Sequence, residues 1–467
     1  MDQGSSLALL YNTASMMGIL LAIGNGVNAA EPSWHLEGAQ KRIRDHRMSD
    51  AVVELVLGDG TPVSKGRLVQ VKQTGHAFFF GGSLTQVWTL HKHPEFQQYL
   101  ERFEALFNYA TVGFYWNWHE RREPGTWKLR NHTGEMIKWS KERGITVKGH
   151  PMMWHNSLPV FVEGEQDVKR IDRYILDHVR MLAKDYPQVD QWDLYNEAPG
   201  IRLKPDDHGA KRWMTAMGGA GPITKRLMDT VRKVQPKGFF MLNHFRHDDP
   251  EYHEQISWCV KNNVQFDAIG IQTHMHKQGS MMSEKQVWEM LEEYAGYDKS
   301  IHLSEVSVLS SELFKDWREL QKFEAEIGAA RKARKEPPFR TSTPEGEKFQ
   351  AQYVRDFYTL AFSHPAVESI VWWSVTDQGA WRGSAAGLLD RNMKPKPVYK
   401  ELDQLINNEW RTSVKVKTDE EGHISVRGFH GGYSVTVLHE GRQIKGSFRL
   451  ERGKPCRVRV TMDSGNG

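Results

Sequence analysis

Cysteine is nearly missing: among 467 residues there are two, Cys259 and Cys456. A disulfide framework is therefore excluded, and a single bridge is not expected because the two fall in different predicted domains. A strong charge excess is missing too. The 62 basic and 58 acidic residues leave a formal net charge of +4, too small for this length to be a nucleic-acid footprint. The main local exception, RKARKEPPFR (Arg331 to Arg340), reads as a solvated loop. Long apolar runs are scarce, and beyond the N-terminal segment none can span a bilayer, so stable membrane insertion is not expected. That segment, MMGILLAIGNGVNAAEPS (Met16 to Ser33), has a short apolar core followed by the small-x-small pattern Val27, Asn28, Ala29. It lacks a positive n-region, since no Lys or Arg precedes it and Asp2 does. The expectation is an exported protein (secreted, periplasmic or at the cell surface) with residues 1–30 as a signal peptide. A misassigned start or an uncleaved apolar segment is the alternative.

What is abundant is tryptophan, 16 residues. Several stand beside His or Asn, in YWNWH (Tyr115 to His119), MMWHN (Met152 to Asn156) and VWWS (Val371 to Ser374). Most tryptophans fill cores. Those at the ends of strand-like runs are equally suited to stack on the C–H faces of sugar rings.

The chain changes rhythm twice. From Ala51 to Lys72, apolar and polar residues alternate with turn signals at Gly58 to Thr61 and at Gly66, which predicts a short antiparallel β unit over residues 34–75. Strand-like runs then recur at Ala77 to Gly82, Tyr109 to Trp116, Thr146 to Trp154, Gln191 to Glu197, Gly238 to Phe245, Phe266 to His274, Ile301 to Val306 and Ser369 to Asp377. Amphipathic stretches separate them, such as Glu135 to Gly144, Lys169 to Pro187 and Glu347 to Pro365. Eight strand and helix alternations predict an α/β fold, a (β/α)8 TIM barrel over residues 76–408. The charged stretch from Ser307 to Thr343 is expected to be a surface excursion, with a lid or extra helix as the alternative. From Trp410 short alternating runs return between Gly-rich turns. They predict a small C-terminal β-sandwich module over 409–467, whose only aromatic candidates for a platform are Phe429 and Tyr433.

Working groups in such barrels sit at the C-terminal ends of the strands. Here those ends carry His150 and Trp154, Asn196 and Glu197, Asn243 and His244, Gln272 and His274, Glu305, and Trp373 and Asp377. Two of them are glutamates that close apolar runs, Glu197 in QWDLYNE and Glu305 in IHLSEV, where an acid costs stability unless it has a task. Two carboxylates facing one cleft suit glycosidic cleavage, one as nucleophile and the other as acid and then base. Asn196 suits a sugar 2-OH, and His274 suits orienting Glu305.

GHPMMWHNSLP (Gly149 to Pro159), WDLYNEA (Trp192 to Ala198), IGIQTH (Ile269 to His274), SEV (Ser304 to Val306), VWWSVTDQGAWR (Val371 to Arg382) and GLLDRNMKPKPVYKEL (Gly387 to Leu402) closely resemble, in order and spacing, the signature segments of glycoside hydrolase family 10. The resemblance covers roughly Phe78 to Leu405. It implies a retaining endo-β-1,4-xylanase, with Glu197 as acid/base and Glu305 as nucleophile, a polysaccharide or oligosaccharide substrate, and no cofactor. It implies that His150, Trp154, Asn196, Gln272, His274, Trp373 and Trp381 line the subsites beside the scissile bond. There are departures. Gly113, Phe114 and Asn117 stand where the family usually has a Glu-Asn pair and a Lys that bind sugars on the non-reducing side, which implies an altered glycan preference with Asn117 as the remaining polar contact. Ser307 stands where an Asp normally supports the histidine beside the nucleophile, which implies a lower His274 pKa and a weaker hold on its ring. LNHF (Leu242 to Phe245) replaces an Asn-Asp pair.

Two rivals remain besides a same-fold β-glycosidase with another glycan. A metallohydrolase is suggested by His274-Met275-His276 with His150 and His155. A glycan-binding protein without turnover is suggested by the altered Gly113 to Asn117 segment. Retention of both glutamates speaks against the second.

Overall fold

The computed structural model describes residues 34–454 and 457–462. The predicted signal peptide and Cys456 lie outside the described residues; Cys259 is buried and carries a free thiol. No helix of the described residues is long and apolar enough to cross a membrane.

A helix over Ala39–Arg47, inside the range read as a β unit, precedes the first two strands, β1 (Met48–Leu57) and β2 (Leu68–His76). Eight more follow: β3 (Phe79–Ser83), β4 (Tyr109–Gly113), β5 (Thr146–His150), β6 (Gln191–Asn196), β7 (Phe239–His244), β8 (Ala268–Ile271), β9 (Ser300–Val308) and β10 (Val367–Trp372). Each pairs in parallel with the next, and β10 pairs with β3, so the sheet closes into the eight-stranded barrel expected from the sequence. Every residue of β4 and β6 is buried, as it must be for strands covered by helices outside and side chains within. The helices follow the amphipathic stretches: Asn131–Glu142, Val168–Asp185 and Pro344–Ser363 bury their apolar stripes on the barrel. Asp167 and Thr343 accept hydrogen bonds from first-turn amides of the last two and set where they begin.

The terminal strands differ from expectation. β1 and β2 do not pair with each other. β11 (Ser413–Lys417), β12 (His423–Phe429), β13 (Gly431–His439), β14 (Arg442–Leu450) and β15 (Arg457–Met462) complete two sheets around them. One sheet runs β12-β1-β15, the other β11-β2-β13-β14. Val53, Leu55, Val69 and Val71 share a single core with Val435, Val437, Phe448 and Val460. The N-terminal β unit and the C-terminal module are thus one sandwich assembled from both ends of the chain. The physical reason is that two strands alone are marginal in water, and each needs a partnered sheet to bury its apolar face. Phe429 and Tyr433 are buried in this part of the molecule, with the Tyr433 hydroxyl donating to the Phe429 carbonyl at 2.6 Å, so neither offers a platform to a glycan.

The excursion after β9 holds the helix Trp317–Lys332. It has a small core of its own, Leu309, Phe314 and Leu320 against Ala386. Glu324 on this helix pairs with Arg382 at 2.9 Å, and the Arg382 guanidinium lies 3.9 Å over the Trp381 ring. The helix therefore forms a wall beside the rim.

Candidate active site

Both glutamates sit at a break in strand register. Along β6 the pairing with β7 slips between Asp193 and Tyr195, and along β9 the pairing with β10 slips between Leu303 and Val306. A bulge shifts the alternation of faces and re-aims the side chains next to it. On β9 it lets two consecutive residues reach one partner, which a regular strand forbids: Ser304 Oγ donates to Asn243 Oδ1 at 2.6 Å, while Asn243 Nδ2 donates to Glu305 Oε1 at 2.8 Å. Glu197 itself sits in left-handed backbone, φ 57° and ψ 35°. Thr273, just before His274, does so too, at φ 54°. Non-glycine residues there cost on the order of 1 kcal/mol each, and such strain collects at functional sites.

A chain of amides joins the two acids. Gln272 Nε2 donates to Glu197 Oε1 at 2.9 Å and approaches Asn196 Oδ1 at 3.3 Å. The same Asn196 oxygen accepts from Asn243 Nδ2 at 2.9 Å, and that nitrogen also serves Glu305. Asn196 spends its carbonyl on this chain, which leaves its amide N–H groups for a ligand. The indole of Trp154 donates to Glu197 Oε2 at 3.0 Å. On the other acid, His274 Nε2 lies 3.2 Å from Glu305 Oε2.

Below the acids Asp193 takes His150 Nδ1 at 2.6 Å and the Lys148 ammonium at 3.1 Å, all three groups buried. Burial pushes the Asp193 carboxyl up, but Lys148 and His150 outweigh it and hold it below its usual range. Its anion is what makes a buried lysine tolerable. Asp193→Asn is expected to destabilise the fold by about 3–5 kcal/mol, the cost of a buried charge left without its partner. Denaturant unfolding of the variant checks this, and a loss under about 1 kcal/mol would show that Lys148 has other support.

The two acids feel different surroundings. Burial raises both. On Glu197 the charge of Glu305 adds to the rise, against the hydrogen bonds from Gln272 and Trp154. On Glu305 the interactions with His150 and Lys148 and the hydrogen bond from Asn243 oppose the rise, while the charge of Asp193 adds to it. Both carboxyls are thus held above their usual range by burial, each against its own set of hydrogen bonds and charges.

Around the pair, Trp373 packs edge-on to His150 at 5.3 Å and to His274 at 6.2 Å between ring centroids. Trp381 lies 4.4 Å from His274 and is 37% exposed, open to a ligand. His150, Trp154, Asn196, Gln272, His274, Trp373 and Trp381 are thus gathered around Glu197 and Glu305. Asn117 lies on the short helix Trp116–His119, and its Oδ1 is buried without a hydrogen-bond partner among the described residues. Asp377, a rim candidate, turns away to accept from Lys396 at 3.1 Å and the Gly387 amide at 2.7 Å. His244 places Nε2 3.0 Å from Asp249.

Three participants stand outside the predicted set. Asn243 is visible in the sequence as a strand end, but nothing there gives it a task. Tyr115 faces the site, 5.6 Å from His150 and 5.7 Å from Trp154, while Phe114 turns into the core against Trp192 at 4.8 Å. Burial and the carboxylates Glu305, Glu197 and Asp193 push the Tyr115 phenol well up, so it stays protonated. A side chain at Gly113 would meet the Tyr115 ring at 3.2 Å, closer than ordinary contact. Lys148 is the third, hidden in a strand interior where its charge gives no positional signal.

The metal alternative finds no ligand set here. Among the described residues the one group of three acids or histidines with converging ligand atoms is Asp419, Glu421 and His423, on the sandwich. His274 and His276 instead share the hydroxyl of Ser307, each at 2.8 Å.

Residues 71–405 match the model of Glycosyl hydrolase family 10. The chain belongs to that family. Family 10 members are retaining glycoside hydrolases, and this chain is one by family. Among curated proteins the hydrolase is 24% identical over 359 residues to endo-1,4-beta-xylanase B of Thermotoga neapolitana, covering 73% of this chain and 91% of that one. It is 21% identical over 427 residues to the anti-sigma-I factor RsgI6 of Acetivibrio thermocellus, covering 90% of this chain. It spans about half of RsgI6, 49%. The crystal structure of xylanase 10B from Thermotoga petrophila RKU-1 in complex with xylobiose superposes with a TM-score of 0.56 at 19% identity, over 71% of this chain and 95% of that one, a likeness of fold.

Proposed function

We propose that this family 10 hydrolase cleaves β-1,4-linked xylan internally by double displacement, with Glu305 and Glu197 as the reacting pair. Glu305 attacks the anomeric carbon and forms a glycosyl ester while Glu197 gives its proton to the departing oxygen. Glu197, now a base, takes a proton from water, and that water attacks the same carbon and releases Glu305. The observation that carries the reading is the amide chain Gln272–Asn196–Asn243, which fixes both buried carboxyls to one scaffold. His150, Trp154, Trp373 and Trp381 supply the polar and aromatic surfaces that hold the neighbouring sugars. The curated relatives named as endo-1,4-beta-xylanases support xylan as the substrate. A polymer of that kind cannot enter a cell intact, which supports an exported enzyme.

A different β-glycan is favoured by one observation, the Gly113–Tyr115 segment. Where hydrogen-bonding groups are expected, an aromatic ring faces the cleft, and a site that loses such groups changes what it discriminates. The product profile on purified β-1,4-xylan, β-1,4-glucan and mixed-linkage glucan decides. Xylo-oligosaccharides released from xylan alone are the expected outcome, and release from a glucan but not from xylan would overturn the substrate assignment.

A further inference from the structure

Behind Glu305 a hydrogen-bond chain continues to residues that the double displacement itself does not use. His274 presents Nε2 to Glu305 and Nδ1 to Ser307 Oγ. His276 presents Nε2 to the same hydroxyl, and its Nδ1 is buried with no partner among the described residues. A serine hydroxyl owns one proton, and an ionised carboxylate can only accept.

These limits fix the protons. His274 must carry one on Nε2 to serve Glu305. If the ring is neutral, its Nδ1 is a bare acceptor, and Ser307 spends its only proton there. The Ser307 oxygen then accepts from His276, which must carry its proton on Nε2. All that is left over is a lone pair on His276 Nδ1. If His274 is cationic instead, it donates to Ser307. The serine proton must then go to His276 Nε2, and His276 carries an N–H on its buried Nδ1, or else the serine proton has no acceptor. Either way a buried donor is orphaned, which folded proteins avoid more strictly than an idle acceptor.

We infer that Ser307 and His276 are positioning residues of the nucleophile, forming a neutral relay that locks His274 in its Nε2–H tautomer and gives Glu305 a hydrogen bond without a positive charge. The inference rests on Glu305 as nucleophile. It also suits the chemistry, because Glu305 changes from an anion to a neutral ester and back in each turnover, and a buried imidazolium beside it would lose its counter-ion at the ester stage. The charged groups facing the relay agree. Burial, then Arg382 and His150, hold His274 well below its usual range, and burial, then His274 and Arg382, do the same for His276. Glu305, on the same strand as Ser307, is the anion against the relay, and Glu324 and Glu197 act on Arg382. Ser307, where the family resemblance leads one to expect an aspartate, is thus a working part and not merely a lost anion.

The test is nitrogen NMR of the imidazoles in the full chain, His274 and His276 assigned by single His→Gln variants, followed by pH profiles on an aryl β-xyloside. Both rings are expected as neutral Nε2–H tautomers at neutral pH. Ser307→Asp should make His274 cationic and move the acid limb of kcat/KM by about one unit toward acid, since an imidazolium favours the ionised nucleophile. Ser307→Ala should lower kcat roughly tenfold, as loss of a group that orients a catalytic residue does, and Ser307→Thr should restore most of it. A cationic His274 in the unmodified chain overturns the inference, as does Ser307→Asp leaving tautomer and acid limb unchanged. The spectrum of the unmodified chain needs neither turnover nor a folded variant, so it separates failure of the relay from failure of the proposed activity.

Discussion

Glu305→Ala is expected to abolish turnover of every β-glycoside, activated or not, by at least about ten-thousand-fold, while the protein stays folded. The size of the loss follows from the role. Without this carboxylate no bond forms to the anomeric carbon, so neither a better leaving group nor a higher pH can help. Stability should not follow activity, because removing an acid whose folded pKa is raised by burial removes a desolvation cost along with its hydrogen bonds from Asn243 and His274. Steady-state rates on an aryl xyloside and on xylan, with a thermal melt of the same sample, check both halves. A residual rate within about a hundred-fold of the unmodified enzyme would remove Glu305 from the role, and so would a loss confined to substrates with poor leaving groups.

Glu197→Gln should show that second pattern. General acid assistance is worth roughly a hundred- to ten-thousand-fold, and it matters only when the leaving oxygen needs a proton. Hydrolysis of xylan should therefore collapse, whereas a dinitrophenyl xyloside should still glycosylate Glu305 at close to the normal rate. The second step then lacks its base. A burst of dinitrophenol, one equivalent per enzyme, followed by slow turnover is the expected trace. The pH dependence carries a further sign. The folded Glu197 pKa is raised, so the proton it must donate is retained above the usual carboxylate range, and the basic limb of kcat/KM should disappear in the variant. Equal losses on activated and unactivated substrates would contradict the assignment.

The barrel and its reacting pair are legible because a barrel writes itself in one dimension. Eight apolar runs must be buried on both faces, and polar residues survive at their ends only where they have work to do. Glu197, Glu305 and the rim from His150 to Trp381 follow from that rule and from the family segments. The features that the sequence hides depend on register or on distant partners. Alternation in β1 and β2 says which face is apolar but not which strand lies alongside, so pairing with strands more than 300 residues away cannot be read. The bulges at Leu194 and beside Ser304 leave no mark in composition, yet they decide that Ser304 and Glu305 both meet Asn243. The opposite facing of Phe114 and Tyr115 is of the same kind: both rings are plain in the sequence, but which of two neighbours turns to the cleft is a backbone matter. Ser307 reads in the sequence as a missing anion, since a substitution seen alone shows what is lost and not the second histidine that makes use of the hydroxyl.

Double displacement requires that Glu305 form a bond to sugar. Treating the enzyme with a dinitrophenyl 2-deoxy-2-fluoro-xyloside, whose fluorine slows both steps while the leaving group speeds the first, should trap the ester for peptide mass spectrometry. A single added fluoro-xylosyl mass on the peptide containing Glu305 is the predicted result. Label on another residue, or turnover on ordinary substrate with no label at all, would contradict it.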